Sequence, residues 1–200
     1  ATGMLAKKDA KVGAVFGTGV QAKSQVEAIL AARNLEKILV FSRTKESAES
    51  FCNVIYDTFS VKTSIGNKDS LKEADVICTA TPSKKPLFDH GDLSLGVHIN
   101  AIGSFKSSMQ EIPVETVINS KVIVDKIESC KMEAGDLIIP VEEGKWSFDM
   151  VHGELGQVIL GEVSGRNPDG EITLFKSVGN AIQDLALANI IMKKINNDRN

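Results

Sequence analysis

Apolar and polar positions alternate along this chain in blocks, and the blocks switch between two periods. Short apolar runs at 12–16, 38–41, 61–65, 76–80, 97–102 and 122–124 read as strands, the run at 76–80 looking buried on both faces. Between them, 20–32 and 45–56 follow helical spacing. The second of these puts Ala48, Phe51 and Ile55 on one face, with Thr44 placed to cap its first turn. Shorter helical stretches are predicted at 70–74 and 114–118. Strand, helix, strand at this spacing implies a parallel sheet covered on both faces. Beyond Lys131 the rhythm changes: 154–160 and 179–194 read as helices, and 171–175 as a strand set off by the turn Asn167-Pro168-Asp169-Gly170. The polar end at 196–200 reads as frayed.

The first strand breaks into glycines and then becomes a helix, through Gly17-Thr18-Gly19-Val20-Gln21-Ala22. This is the form of a phosphate-binding turn in a dinucleotide fold. Gly17 takes the tight turn, Gly19 lets a pyrophosphate approach the backbone, and the small Ala22 lets the helix pack close to the sheet. The helix would aim its free N–H groups and the positive end of its dipole at the phosphates. The end of the second strand should report which dinucleotide binds. An NAD-selective fold usually carries an acidic residue there, but here the residues are Ser42-Arg43-Thr44. A guanidinium between two hydroxyls suits the 2′-phosphate of NADP(H), with NAD(H) as the alternative.

Length and charge narrow the class further. Two hundred residues are enough for one large domain with a sizeable core. A net charge of −3 and the lack of a basic tract argue against nucleic acid as the main partner. No apolar run approaches a membrane span, and cytoplasm is the default compartment. Cys52, Cys78 and Cys130 are odd in number and widely spaced, which points to free thiols and to neither a metal site nor a disulfide framework.

Several motifs, in order, resemble the ornithine cyclodeaminase/mu-crystallin family. They are the glycine turn, Ser42-Arg43-Thr44, the stretch from Ala74-Asp75 to Thr81-Pro82, and Gly96-Val97-His98-Ile99-Asn100 through Gly103-Ser104. Ala134-Gly135-Asp136-Leu137, Gly153-Glu154-Leu155-Gly156 and Phe175-Lys176-Ser177-Val178-Gly179 through Gln183-Asp184 follow. The resemblance implies a Rossmann-like, doubly wound, mostly parallel α/β domain at 1–175 and a C-terminal helix and tail at 176–200. It also implies that the family's N-terminal substrate and homodimerisation domain is absent from this chain, together with the arginine and lysine that hold the substrate carboxylate.

Residue by residue, the resemblance puts Gly17, Gly19, Val20 and Gln21 at the pyrophosphate and Ser42, Arg43 and Thr44 at the adenosine end. It puts Thr81 beside the ribose and nicotinamide, and Ile102, Gly103 and Ser104 after the strand facing the nicotinamide. Ser177 and Val178 match a segment closing over nicotinamide and substrate, although Ser177 alone reads as a helix cap. His152, Glu154 and Asp184 are acid–base candidates by residue type, each with a structural reading that is the more usual one. Ornithine cyclodeaminases carry a proton-transferring aspartate two positions after the glycine matched by Gly103, and a lysine a little further on. Phe105 and Met109 stand there, and a phenyl ring cannot move a proton. The expected activity is therefore NAD(P)H-dependent reduction of a cyclic imino acid or 2-oxo acid, in the manner of Δ1-pyrroline-2-carboxylate reductase or alanine dehydrogenase. Ornithine cyclodeamination, and NADPH binding without turnover as in mu-crystallin, are the alternatives.

Overall fold

The computed structural model describes residues 1–167 and 170–197 of the chain. Eight strands form one sheet: β1 (Val12–Phe16), β2 (Lys37–Phe41), β3 (Lys62–Ile65), β4 (Val76–Thr79), β5 (His98–Ala101), β6 (Lys121–Val124), β7 (Gly153–Glu154) and β8 (Thr173–Lys176). Their spatial order is β3-β2-β1-β4-β5-β8-β6-β7, and every pairing is parallel. The helices are α1 (Thr2–Leu5), α2 (Val20–Ala32), α3 (Lys45–Phe59), α4 (Val114–Ile118), α5 (Ile127–Glu133), α6 (Gly135–Glu142), α7 (Leu155–Leu160) and α8 (Ala181–Asn197).

The period-two alternation of the strands divides the core between two faces. Val15, Ile38, Val40, Val76 and Cys78 point to one side, where they meet Val26 and Ile29 of α2 and Phe51 and Ile55 of α3. Ala14, Phe16, Leu39, Ile77, Ile99 and Val122 point to the other, against Val117 of α4 and Leu137 of α6. Both faces are thus covered, which is why the strands read as continuous apolar runs. On the first side α1 and α7 extend the cover through Leu5 and Val158, packed with Ile123 and Phe175. Two arginines hold α1 and the two residues after it by their carbonyls: Arg33 donates to Gly3, Ala6 and Lys7, and Arg166 donates to Leu5.

From β1 the chain moves outward through β2 and β3, then returns to lay β4 on the opposite side of β1. The two directions part between β1 and β4, and in open α/β sheets such a switch point leaves a crevice at the carboxyl ends of the strands. The register sharpens this geometry. Phe41, Phe16, Thr79, Ala101, Lys176, Val124 and Glu154 lie in one row across the sheet. Whatever follows them emerges along a single edge.

Strands β1–β6 and β8 and the long helices α2, α3 and α8 fall where the sequence pattern puts them, with local differences, whereas the pattern does not predict the two-residue β7. Helix α3 runs on to Phe59, and Ser60 ends it in the left-handed region. The turn predicted at 70–74 is a 3-10 helix, Asp69–Glu73. Helix α8 starts at Ala181 and not at 179, because Gly179 has φ +91° and Asn180 accepts from the Ile182 N–H. Ser177 is therefore not the helix cap; its hydroxyl donates to Asp125. Helices α5 and α6 have no counterpart in the sequence reading, since one is two turns long and the other contains Pro140. Pro168 and Asp169 of the predicted Asn167–Gly170 turn, and 198–200 of the predicted frayed end, lie outside the described residues.

Candidate functional site at the carboxyl edge of the sheet

The glycine turn lies at the switch point. Gly17 has φ +106°, and a Cβ there would sit 2.5 Å from the Ala80 carbonyl oxygen, so the turn can press against the end of β4 only as glycine. Gly19 differs. It is the N-cap of α2 at φ −86°, and a Cβ on it would meet nothing within 4 Å. No side chain caps α2 and no acid occupies its first turn, so its free N–H groups and dipole face open space. Val20, 83 % exposed, and Gln21 stand on that first turn. Ser42, Arg43 and Thr44 follow β2 on the same edge and are exposed. The Thr44 hydroxyl accepts from Ser47 N and donates to Ser47 Oγ, so it is committed to capping α3. Arg43 makes no hydrogen bond or ion pair among the described residues.

An open cleft of about 750 Å³ runs along this edge from α2 towards α8. Thr81 and Pro82 after β4, Ile102, Gly103 and Phe105 after β5, and Ser177, Val178 and Gly179 after β8 line it, with Gln21 and Gln25 of α2. Among the described residues its lining contains no charged side chain. Phe105 is 48 % exposed, and its ring forms part of the wall. Ser104, in contrast, is fully buried: its Oγ donates to the Met109 carbonyl and accepts from Asp136 N. Its hydroxyl is turned away from the cleft.

Three carboxylates to which the sequence reading gave no role hold these strand ends. Asp125, directly after β6, accepts from the Ser177 hydroxyl at 2.8 Å and from Val178 N and Gly179 N at 3.0 Å. This fixes the turn after β8. Glu111 is fully buried and accepts from Thr79 Oγ1, Thr81 N, Thr81 Oγ1, Gly103 N and Ser104 N at 2.7–3.1 Å. Burial, then the nearby Asp136 charge, raise its pKa above the ordinary carboxylate value, and the Thr81 and Thr79 hydrogen bonds oppose them. Asp136 accepts from Glu111 N and Ile112 N and pairs with Lys176 Nζ at 3.0 Å, both side chains being fully buried.

The remaining sequence candidates are elsewhere. His152 bonds Ser164. Glu154 accepts from Ile127 N and pairs with Lys126, and the Ile127 bond is the first cause holding its pKa below the usual value. Asp184 lies on the exposed first turn of α8, whereas Gln183 beside it borders the cleft. All three cysteines are free and buried, and burial pushes the Cys78 thiol up to about 12, so it does not act as a nucleophile. Glu111 carries no pattern that marks it: it sits in a loop between Gln110 and Ile112. Asp136 stands in the motif Ala134-Gly135-Asp136-Leu137, and Asp125, a carboxylate ending the apolar run 122–124, is a second that the sequence could have offered.

Known proteins share this fold. Over 197 residues the chain is 42 % identical to a Delta(1)-pyrroline-2-carboxylate reductase of Bacillus thuringiensis subsp. konkukian, covering 97 % of this chain and 60 % of that protein. The structure of Thermococcus litoralis Delta(1)-pyrroline-2-carboxylate reductase in complex with NADH and L-proline superimposes with a TM-score of 0.92 at 36 % identity, over 97 % of this chain and 61 % of that one. An archaeal alanine dehydrogenase dimer with bound NAD gives a TM-score of 0.92 at 32 % identity, over all of this chain and 62 % of that one. The chain thus spans about 60 % of the length of the curated relatives it matches. The family model for the ornithine cyclodeaminase/mu-crystallin family matches residues 1–199, and the chain belongs to that family.

Proposed function

We propose that this chain is the cofactor-binding part of an NAD(P)H-dependent reductase acting on a cyclic imino acid of the Δ1-pyrroline-2-carboxylate kind or on a 2-oxo acid. The carrying observation is the cleft itself: it begins at Gln21, on the first turn of the helix behind the glycine turn, passes the ends of β4, β5 and β8, and its wall presents Phe105 and no charged side chain among the described residues. The open N-terminus of α2 fits a pyrophosphate, and Gly17, Gly19, Val20 and Gln21 would hold it. Thr81, Ile102 and Gly103 would hold the nicotinamide end, while the buried Ser104 supports them from behind through Glu111. When bound there, the reduced nicotinamide supplies the hydride. The chain's own work is to orient the two partners and to exclude water. Phe105 packs against the face of a flat ring, and Ser177 and Val178 close over it.

The finer assignments rest on fewer groups. Arg43, without a partner among the described residues, and Ser42 support preference for the 2′-phosphate of NADP(H), although Thr44 is occupied by its capping role and the structural relatives hold NADH and NAD. The substrate carboxylate finds no counter-charge in this cleft, and the resemblance assigns that role to the family's N-terminal segment. We place the end of the nucleotide domain at the end of β8, one residue past the 175/176 boundary of the sequence reading, homodimerisation through that segment, and the protein in the cytoplasm. Among the described residues no helix is long and apolar enough to cross a membrane.

The test is turnover by the full-length protein. Oxidation of NAD(P)H with Δ1-pyrroline-2-carboxylate, and no ammonia from L-ornithine, is the expected result. Ammonia release from ornithine at a comparable rate would replace this reading with cyclodeamination. Tight cofactor binding with neither turnover would replace it with a binding protein.

A further inference from the structure

Glu111, Asp136 and Lys176 are fully buried ionisable groups to which the proposed chemistry gives no task. They come from a loop, the start of α6 and the end of β8, yet they meet in one chain of contacts beneath the cleft. One Glu111 oxygen takes both donors of Thr81, and the other takes Thr79 Oγ1, Gly103 N and Ser104 N. All five partners donate, so the group they surround is a carboxylate whose two oxygens clamp the loops after β4 and β5 together. Contact is so close that a Cβ on Gly103 would overlap Thr81 N, Thr81 O and Glu111 Oε1. Asp136 fixes Glu111 from behind through the Glu111 and Ile112 N–H groups, and its second oxygen takes Lys176, next to Ser177. Beside it, Gly135 has no Cβ because the Lys106, Ser107 and Met109 carbonyls crowd that point. The loop that carries Phe105 is therefore braced by the same structure.

We infer that Glu111, Asp136 and Lys176 form a positioning relay that holds the segments after β4, β5 and β8 in a single arrangement, and so sets the nicotinamide ring against the Phe105 wall. This rests on the proposed cofactor reading and deepens it. None of the three lines the cleft, so they act through Thr81, Gly103 and Phe105 and are positioning residues. The relay also divides the labour along the edge. Affinity comes from the phosphate end, and the geometry for hydride transfer comes from the buried carboxylates.

The experiment compares full-length wild type with Glu111→Gln and Thr79→Val. Thr79→Val keeps the side-chain shape, lies outside the cleft and removes one donor from Glu111. Each protein is titrated with NADH while the emission of the reduced nicotinamide is followed, and kcat and KM are measured with Δ1-pyrroline-2-carboxylate. The expected result is an NADH Kd within about threefold of wild type, with loss of the emission shift that the bound nicotinamide shows in wild type. Misplacement of the ring should lower kcat about a hundredfold in Glu111→Gln and about tenfold in Thr79→Val, with KM little changed. Should Glu111→Gln not fold, Thr79→Val decides alone. Variants with lowered melting temperature but wild-type emission and kcat would overturn the relay, leaving it a structural brace. Absence of any NADH response in the wild type would instead remove the cofactor reading, and the relay with it.

Discussion

The two ends of the carboxyl edge are built by opposite means. At the phosphate end, the β1–α2 turn and Ser42-Arg43-Thr44 come from short stretches of chain and lie open, and among the described residues no side chain caps α2 or pairs with the Arg43 guanidinium. At the nicotinamide end, Thr81, Gly103 and Ser177 are held by the buried Glu111 and the half-buried Asp125, reaching across 8 to 52 positions of sequence. The open end can be read from local pattern, and substitutions there should strike the ligand. The buried end exists only after folding, and substitutions there should strike the fold or the geometry.

Breaking the buried end should give the largest effect. Lys176→Met strands the Asp136 charge in the interior and should cost about 3–5 kcal/mol in urea unfolding, much of it recovered by adding Asp136→Asn. A loss below about 1 kcal/mol would mean that the pair is solvated in solution.

A pH effect from the sheet interior comes next. His98 is bonded to Thr173 and Asn100, and burial pushes its pKa down from 6.5 to about 3. A depressed folded value favours the neutral ring, so its stabilisation is complete above 6.5 and is lost as pH falls towards 3. Between pH 7 and pH 4 the unfolding free energy should fall by about 3 kcal/mol from this group, and His98→Gln should flatten that slope. An unchanged slope in the variant would assign the acid lability elsewhere.

The two glycines of the phosphate turn sharpen the comparison. Gly17→Val puts a branched side chain at positive φ against the Ala80 carbonyl and should destabilise the fold itself. Gly19→Val enters open space in the protein, so its melting temperature should barely move while NADH and NADPH affinity falls about a hundredfold, or about 2.7 kcal/mol. Equal melting losses in the two variants would erase the distinction. Smallest of all, Arg43→Ala should weaken NADPH about tenfold, near 1.4 kcal/mol, and leave NADH almost unaffected. Equal losses for both would remove the 2′-phosphate assignment.

This contrast also explains what could be read without coordinates. Apolar runs marked β1, β4 and β6 because strands covered on both faces leave little room for polar residues. Gly17 was legible because a turn after such a strand needs its backbone freedom. The insertion of β8 between β5 and β6 was not, since a parallel strand order is set by packing between distant segments. Glu111 was equally hidden. A carboxylate in a loop looks like any exposed acid until five donors converge on it. Ser177 was picked out by resemblance to a family segment, but its partner Asp125 lies 52 positions away and only the structure joins them.

Calorimetric titration of the full-length protein with NADPH and, separately, NADH tests the central claim most directly. The account predicts saturable binding of both at one site, tighter for NADPH, with Arg43 and the open end of α2 supplying the affinity. Heat from neither cofactor would contradict it, because an uncapped helix and a glycine turn at the switch point would then hold no dinucleotide.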